Sequence, residues 1–188
     1  MIFTSYDNIE RIEKETQIRY AKDSDIEDFT NTWVTFTIQK IISSAAFDYP
    51  LFKWNKIIKT SLTMGFGHKC YCAITNQRID GMLCLSKDDK ILHIDFIATA
   101  PWNYYKLGTG KMKRIGEGLI YYTIKTSQYI GLRGEFLLNA LPTAEKFYQN
   151  IGMVQTGKAN DHGLKEYYMS KEEAYIFEEK FKKYIIRE

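Results

Sequence analysis

In residues 91–120, ILHIDFIATAPWNYYKLGTGKMKRIGEGLI, the sequence pattern changes from that of a strand to that of a helix. Apolar residues fill every second position over 92–98, which is typical of a pleated strand. Pro101 ends that strand, because it has no backbone N–H to give to a ladder. Beyond the glycines that follow, apolar residues recur three and four positions apart, and this spacing predicts a helix over 109–127.

The glycines lie between the predicted strand and the predicted helix. Gly108 and Gly110 lack Cβ atoms, so a ligand can approach the backbone there. The first turn of a helix presents unpaired N–H groups and the positive end of the macrodipole, and Lys106 and Lys111 add charge beside it. The pattern favours an anion site for phosphate or pyrophosphate over a plain strand–helix turn. It is neither a P-loop nor a dinucleotide fingerprint, because the required residues are missing at the flanking positions.

Length and composition limit the classes of protein. The chain has 188 residues, which predicts one domain over 1–188, and a net charge of +3, too small to predict a nucleic-acid partner. No apolar run approaches the roughly 20 residues of a membrane span, and the first residues do not resemble a signal peptide. Three cysteines without a framework indicate a reducing compartment, so we expect a cytoplasmic protein without a membrane partner.

The remaining pattern predicts a mixed α/β fold. A strand and two helices rich in aromatic residues precede residue 65, and a hairpin precedes the central strand. A further strand, a short helix, two strands and a terminal helix follow the 109–127 helix, and the whole order predicts helices on both sides of one sheet. The aromatic residues of 29–62 would pack the core, or would also wall an acceptor pocket. The predicted segments are 17–22, 23–42, 51–64, 69–75, 79–86, 135–140, 142–150, 153–157, 164–169 and 171–187.

Two groups of side chains could carry chemistry. His68, Cys70 and Cys72 are two positions apart, but a metal site would need a fourth ligand, so we predict buried cysteines and no metal. His93 and Asp95 are ionisable residues on a strand expected to be covered by helices, where such residues are unusual and could have a functional role. The alternatives are that this face is open to solvent or that the two side chains pair with each other.

Two motifs resemble the GNAT superfamily of N-acetyltransferases: Ala-Pro-Trp-Asn followed by Lys-Leu-Gly-Thr-Gly, and, further on, Phe-Tyr-Gln-Asn-Ile-Gly-Met. The resemblance covers about residues 17–169. It implies a mostly antiparallel mixed sheet with helices on both faces, to which this chain adds a C-terminal helix over about 171–187. We expect that helix to pack on the core, with a homodimer contact as the alternative.

The resemblance also implies where the cofactor, acetyl-CoA, would bind. Its carbonyl would be held by the backbone at the end of the central strand, at Ile97, Ala98 and Thr99. Its pyrophosphate would lie on a loop in which Tyr105 stands where the family usually has Gln or Arg. The loop residues are Tyr105, Lys106, Leu107, Gly108, Thr109, Gly110 and Lys111.

For the chemistry, the resemblance places Tyr148 where many members have the acid that protonates the leaving thiolate. The alternative for Tyr148 is a core aromatic. Asp95 falls near a strand carboxylate of many members, and His93 is the second candidate base. The resemblance therefore predicts an acetyl-CoA-dependent N-acetyltransferase that acts on a primary amine, and the aromatic helices favour a small-molecule acceptor. A CoA-binding sensor without catalysis and a protein-amine acetyltransferase are the alternatives.

Overall fold

The computed structural model of the protein describes residues 1–43, 52–64, 68–103 and 111–188. It confirms the predicted fold class: a mostly antiparallel mixed sheet carries helices on both faces. The strands are β1 (Ile2–Asp7), β2 (Ile12–Tyr20), β3 (His68–Thr75), β4 (Arg78–Lys87), β5 (Leu92–Thr99), β6 (Met112–Lys113), β7 (Phe136–Ala140), β8 (Val154–Ala159), β9 (Lys165–Met169) and β10 (Ile185–Arg187). Their order in the sheet is β10-β1-β2-β3-β4-β5-β7-β9-β8, and β6 pairs with β1.

The helices cover the sheet in two groups. The helices are α1 (Asp23–Phe29), α2 (Thr35–Ser43), α3 (Trp54–Met64), α4 (Ile115–Tyr129), α5 (Glu145–Asn150) and α6 (Lys171–Phe181), and a π-helical turn over Thr30–Val34 links α1 to α2. One face of the sheet, called the α4 face here, buries Leu119 of α4 and Phe177 of α6. The other, called the α3 face, buries Trp33 and Trp54 in a separate core. No helix in the described ranges combines the length and apolar character needed to cross a membrane.

The sheet begins earlier than the sequence pattern predicts. A first strand was expected at 17–22, whereas β1 and β2 form a hairpin from Ile2 onward. The inward side chains of β1 are Phe3, Ser5 and Asp7, all buried, so apolar and polar residues do not alternate. The Thr16 hydroxyl of β2 donates to the Ser5 hydroxyl at 2.8 Å. A buried hydroxyl costs little free energy when it is paired, and the strand therefore forms without an apolar pattern.

Two predicted helix boundaries are wrong. The helix expected over 109–127 begins at Ile115, because Met112 and Lys113 are extended and pair with β1. The helix expected over 171–187 ends at Phe181, and after a 3₁₀ turn the last residues pair with β1 as β10. In both places backbone pairing with β1 replaces helix, and helical periodicity in the side chains does not reveal that pairing.

β5 contains a bulge that changes which side chains face each core. Cys84 of β4 pairs with Phe96 and Leu85 pairs with Ile94, so Asp95 is the extra residue. A bulge of one residue shifts the alternation of the strand beyond it. Leu92 and Ile94 accordingly lie in the α4 core, whereas Phe96 and Ala98 pack against the α3 core. The sequence pattern predicted one shared face for all four.

Candidate active site

The central sheet opens where β5 and β7 separate. These two parallel strands pair over three positions, from Leu92 with Phe136 to Ile94 with Leu138. β5 then continues beside β4 as far as Thr99, whereas β7 ends at Ala140 and the chain turns into α5. The backbone on one side of the second half of β5 therefore faces an opening.

Backbone geometry shows which amides of β5 face that opening. The N–H of Ala100 donates to the Asp80 carbonyl at 2.9 Å, on the β4 side. Residues along an antiparallel strand alternate between bonding to the neighbour and pointing away from it. The backbone N–H of Ala98 therefore points to β4, and the backbone N–H groups of Ile97 and Thr99 point to the opening. Of the three residues predicted to hold the acetyl carbonyl, two thus have their N–H groups facing the opening, and the third has its N–H facing β4.

A cavity of about 60 Å³ occupies the opening. Asp95 contributes to its wall at the bulge, and Tyr148 contributes from α5. The other lining residues are apolar apart from one amide: Phe52, Ile94, Phe96, Ile97, Leu138, Asn139, Leu141 and Ala144. The fold therefore brings together two of the three predicted catalytic residues, which are more than 50 positions apart in the chain.

Tyr148 is held by aromatic neighbours. Its ring centroid lies 5.3 Å from that of Phe147 and 6.1 Å from that of Tyr167. The side chain is 5% exposed, and burial raises the pKa of its phenol. The phenol is therefore protonated at neutral pH and can act as a hydrogen-bond or proton donor.

Asp95 has partners that the sequence does not reveal. One carboxylate oxygen lies 2.9 Å from Nδ1 of His68, and the other accepts a hydrogen bond of 2.7 Å from the Ser86 hydroxyl. The carboxylate side chain is 23% exposed. His68 and Asp95 lie on β3 and β5, with β4 between them, so no sequence spacing indicates their contact.

His93, the third predicted catalytic residue, lies outside the cavity wall. Its Nε2 is 3.1 Å from Oδ2 of Asp88, at the turn between β4 and β5. Hydrogen bonds from the N–H groups of Lys90 and Ile91 lower the pKa of Asp88 to about 2. His93 thus faces an ionised carboxylate, and it does not pair with Asp95.

A second, larger space adjoins the opening. It is a groove of about 870 Å³ between the first turn of α4, α5 and α6. Thr99 and Phe147 line the end of the groove that lies beside the small cavity. Its charged lining residues are four cations and two anions: Lys113, Arg114, Lys180, Lys183, Glu117 and Glu173.

The first turn of α4 forms one wall of this groove. A Cβ on Gly116 would lie 3.5 Å from the Phe147 ring and 3.8 Å from the Thr99 methyl, so the glycine leaves room between α4, α5 and β5. The first N–H groups of a helix lack intrahelical partners and attract anions. Gly116 and Gly118 repeat the Gly-x-Gly spacing six and eight positions after Gly110, and this second pair is the sequence signal that marks the turn.

The predicted phosphate loop has only one described member. Tyr105, Lys106, Leu107, Gly108, Thr109 and Gly110 lie outside the described residues. Lys111 is described, and its Nζ lies 3.9 Å from Oδ2 of Asp7 on β1.

Arg114 is anchored beside the groove. Its guanidinium stacks on the Tyr184 ring at 3.9 Å from the centroid and bonds Glu13 at 3.0 Å. Its backbone φ is +72° at the residue that precedes α4. The guanidinium is thus held in place before any ligand arrives.

The three cysteines are buried, as predicted. Cys70 of β3 and Cys84 of β4 are direct cross-strand partners. A hydrogen bond between their thiols lowers the pKa of Cys70 and raises the pKa of Cys84. His68, which the sequence placed near cysteines without further ligands, lies in one cluster with Cys84 and Asp95.

No protein-family model matches the chain, and no curated protein matches it. Solved structures do. The PaiA N-acetyltransferase of Thermoplasma acidophilum, in complex with coenzyme A, superposes with a TM-score of 0.59 at 15% identity, over 82% of this chain and 98% of that one. An N-acetyltransferase of Staphylococcus aureus gives 0.56 at 15% identity, over 83% and 98%. A GNAT-family acetyltransferase of Brucella melitensis, in complex with acetyl-CoA, gives 0.51 at 13% identity, over 82% and 87%.

Proposed function

We propose that this chain, which has the GNAT fold, is an acetyl-CoA-dependent N-acetyltransferase that acts on the primary amine of a small molecule. The observation that carries the proposal is that two spaces are lined by neighbouring residues of β5 and α5. Thr99 and Phe147 line a groove that also contains four cations and the first turn of α4, and Ile97 and Tyr148 line the small cavity that holds a buried phenol and a carboxylate. The first space suits a phosphorylated carrier, and the second suits proton transfer.

The pyrophosphate of acetyl-CoA would bind at the first turn of α4. The orphan N–H groups and the helix dipole favour an anion there. Lys113 and Arg114 flank that turn, and Gly116 leaves the backbone open to a ligand. The predicted loop over 105–110 precedes this turn in the chain, and its glycines remain candidates for the same anion.

The acetyl end would lie in the opening beside β5. The amide N–H of Ile97 points there and would donate to the thioester carbonyl as negative charge develops on its oxygen. A strand amide is fixed by its ladder on the other side, so it needs little reorganisation during the reaction.

Tyr148 would protonate the sulfur as the thiolate leaves. Burial keeps the phenol protonated at neutral pH, and its side chain lines the cavity beside the groove. Positioned general acids contribute about 10²- to 10⁴-fold to rates.

Asp95 would anchor the acceptor amine and accept, directly or through a water, the proton that the amine must lose before it attacks the thioester carbonyl. It brings a carboxylate to the wall of an otherwise largely apolar cavity, where a cationic amine gains most from it. His93, the other predicted base, faces Asp88 at the turn instead. The aromatic rings of Phe52 and Phe96 bound the cavity on the α3 face and favour a small acceptor over a protein segment.

The test is a panel of primary amines assayed for CoA release with the parent and with Asp95→Asn. We expect the variant to lose transfer while binding acetyl-CoA as the parent does. His93→Gln is the matched control, since it alters the other histidine–carboxylate pair of the same sheet and should transfer normally. Tight acetyl-CoA binding without transfer to any amine, peptide or protein would instead favour a CoA-binding sensor. Transfer to proteins alone would contradict the small-molecule acceptor.

A further inference from the structure

Four side chains with metal-binding groups meet on the α3 face of three adjacent strands. The set comprises His68 and Cys70 of β3, Cys84 of β4 and Asp95 of β5. The imidazole of His68, the thiol of Cys84 and the carboxylate of Asp95 have ligand atoms within 4.8 Å of one another. Cys70 stands directly across from Cys84 in the ladder, and its thiol donates to the Ile57 carbonyl at 3.9 Å.

The donor set selects the kind of ion. Thiolate and imidazole ligands suit zinc, whereas magnesium and calcium take oxygen ligands. Zn–S and Zn–N bonds of about 2.3 and 2.0 Å in a tetrahedral site place ligand atoms roughly 3.5 Å apart. The ligand atoms of His68, Cys84 and Asp95 lie within 4.8 Å of one another, so they need to approach by at most about 1.3 Å. The His68 side chain is 51% exposed and can make this movement.

Two serine hydroxyls form hydrogen bonds to the ligand residues. The Ser86 hydroxyl donates to the Asp95 oxygen that faces away from His68, at 2.7 Å. The Ser61 hydroxyl of α3 donates to the His68 carbonyl at 2.9 Å and accepts from the Cys70 N–H at 3.1 Å. Such outer contacts orient metal ligands and contribute to affinity. His68 and Asp95 are partly exposed, so an ion can enter from their side.

We propose that His68, Cys84 and Asp95 bind a zinc-class divalent ion, with the Cys70 thiolate as the fourth ligand. On binding, each ligating thiol releases its proton to solvent, and the ring proton of the neutral His68 imidazole lies on Nε2, so that Nδ1 can bind the ion. The metal then lies between the imidazole and the carboxylate. The site shares Asp95 with the small cavity, so a bound ion and the acceptor amine would compete for that carboxylate. The existence of the metal site does not depend on the acetyl transfer proposed above.

The same sheet contains a second histidine–carboxylate pair and a third cysteine that lie outside the proposed set of ligands. His93 pairs with Asp88 at the turn between β4 and β5, in a pair that belongs to no metal-ligand cluster among the described residues. Cys72 lies on β3 with its sulfur 3.7 Å from Asp25, whose carboxylate already bonds Arg19 at 2.7 Å. Variants at His93 and Cys72 are therefore matched controls for variants at His68 and Cys84.

The test titrates the full-length, metal-free protein with Co²⁺, followed by competition with Zn²⁺. We expect a thiolate-to-cobalt charge-transfer band in the near ultraviolet, saturating at one ion per chain, and release of protons to an indicator dye. Cys84→Ser should reduce the band to at most the contribution of the remaining Cys70 thiolate, and His68→Gln should weaken Co²⁺ binding at least tenfold. Cys72→Ser and His93→Gln should bind as the parent does.

Several results would overturn the site. They are the absence of a band in the parent, a band of parental intensity in Cys84→Ser, and equal loss in Cys72→Ser. Because Cys84 is buried, each variant is first checked by circular dichroism and thermal melting. If Cys84→Ser does not fold, His68→Gln decides the matter, since its side chain is half-exposed and its loss should leave the fold intact. Parent-like binding by a folded His68→Gln protein would then reject the proposal.

Discussion

Replacing Tyr148 with Phe tests the proposed acid and removes only a hydroxyl. If the phenol protonates the leaving thiolate, the turnover rate should fall by about 10²-fold. That loss corresponds to about 2.7 kcal/mol in the activation free energy. Binding of acetyl-CoA should change little, because the thiolate forms only during the reaction.

The structure also predicts what Tyr148→Phe does to stability. Burial accounts for the raised pKa of the phenol, and within the described part of the chain no hydrogen bond ties its hydroxyl to the core. Removing a hydroxyl that lines a cavity and has no partner among the described residues is close to neutral, so the free energy of unfolding should stay within about 1 kcal/mol of the parent. A large rate loss with an unchanged fold would thus identify chemistry and not packing.

Tyr167→Phe is the matched control. The Tyr167 ring packs against Tyr148 and is fully buried, but its hydroxyl donates to Glu145 and accepts from Gln149, at 3.2 and 3.1 Å. This variant should lose about 1 kcal/mol of stability and keep its rate. The assays are CoA release under saturating substrates, calorimetry with acetyl-CoA and urea unfolding. Parent-like turnover by Tyr148→Phe, or an equal rate loss in both variants, would return Tyr148 to a packing role.

Further predictions concern the groove and the edge of the α3 core. Gly116→Ala should fold normally, since its nearest new contact is 3.5 Å, and calorimetry should show weaker acetyl-CoA binding; unchanged affinity would argue against the α4 site. Gly118→Ala places a Cβ 2.4 Å from the buried Phe3 ring and should cost about 1–3 kcal/mol in urea unfolding, and an unchanged midpoint would contradict this packing. Burial alone would raise the pKa of Asp25, but hydrogen bonds, led by those from Arg19, hold it below its usual value. Because this pKa is lowered in the folded state, the ionised carboxylate stabilises the protein above about pH 4, and that stability is lost as the pH falls through the folded-state pKa. The unfolding free energy of Asp25→Asn should therefore fall less steeply with decreasing pH than that of the parent. An equal slope in both proteins would show that this ion pair does not contribute.

Part of the site was accessible from the sequence because it depends on local order. The pattern after Pro142 predicted the helix that carries Tyr148, and the resemblance to the GNAT superfamily implied the role of that residue. Alternation in the central strand likewise predicted β5. Both patterns reflect how a short segment divides its side chains between core and solvent.

The β5 bulge and the first residue of α4 could not be predicted from local sequence patterns. Asp95 becomes an extra residue only because Phe96 and Ile94 pair with adjacent residues of β4, and a ladder register is a relation between strands. Ile115, not residue 109, begins α4 because the chain before it is extended along β1. Pairing with a strand more than 100 positions away does not produce a periodic pattern of apolar residues in the paired segment.

The sequence by itself therefore determined the mixed sheet, the order of the central strands and helices, and the helix that carries Tyr148, because hydrophobic periodicity is a local property. Only the tertiary structure decided that β1 and β10 extend the sheet, since β1 turns Ser5 and Asp7 inward in place of apolar residues. Only it brought His68 and Asp95 into contact across β4. Contacts between side chains on different strands depend on register and bulges, which are set by backbone hydrogen bonds that every residue type can make.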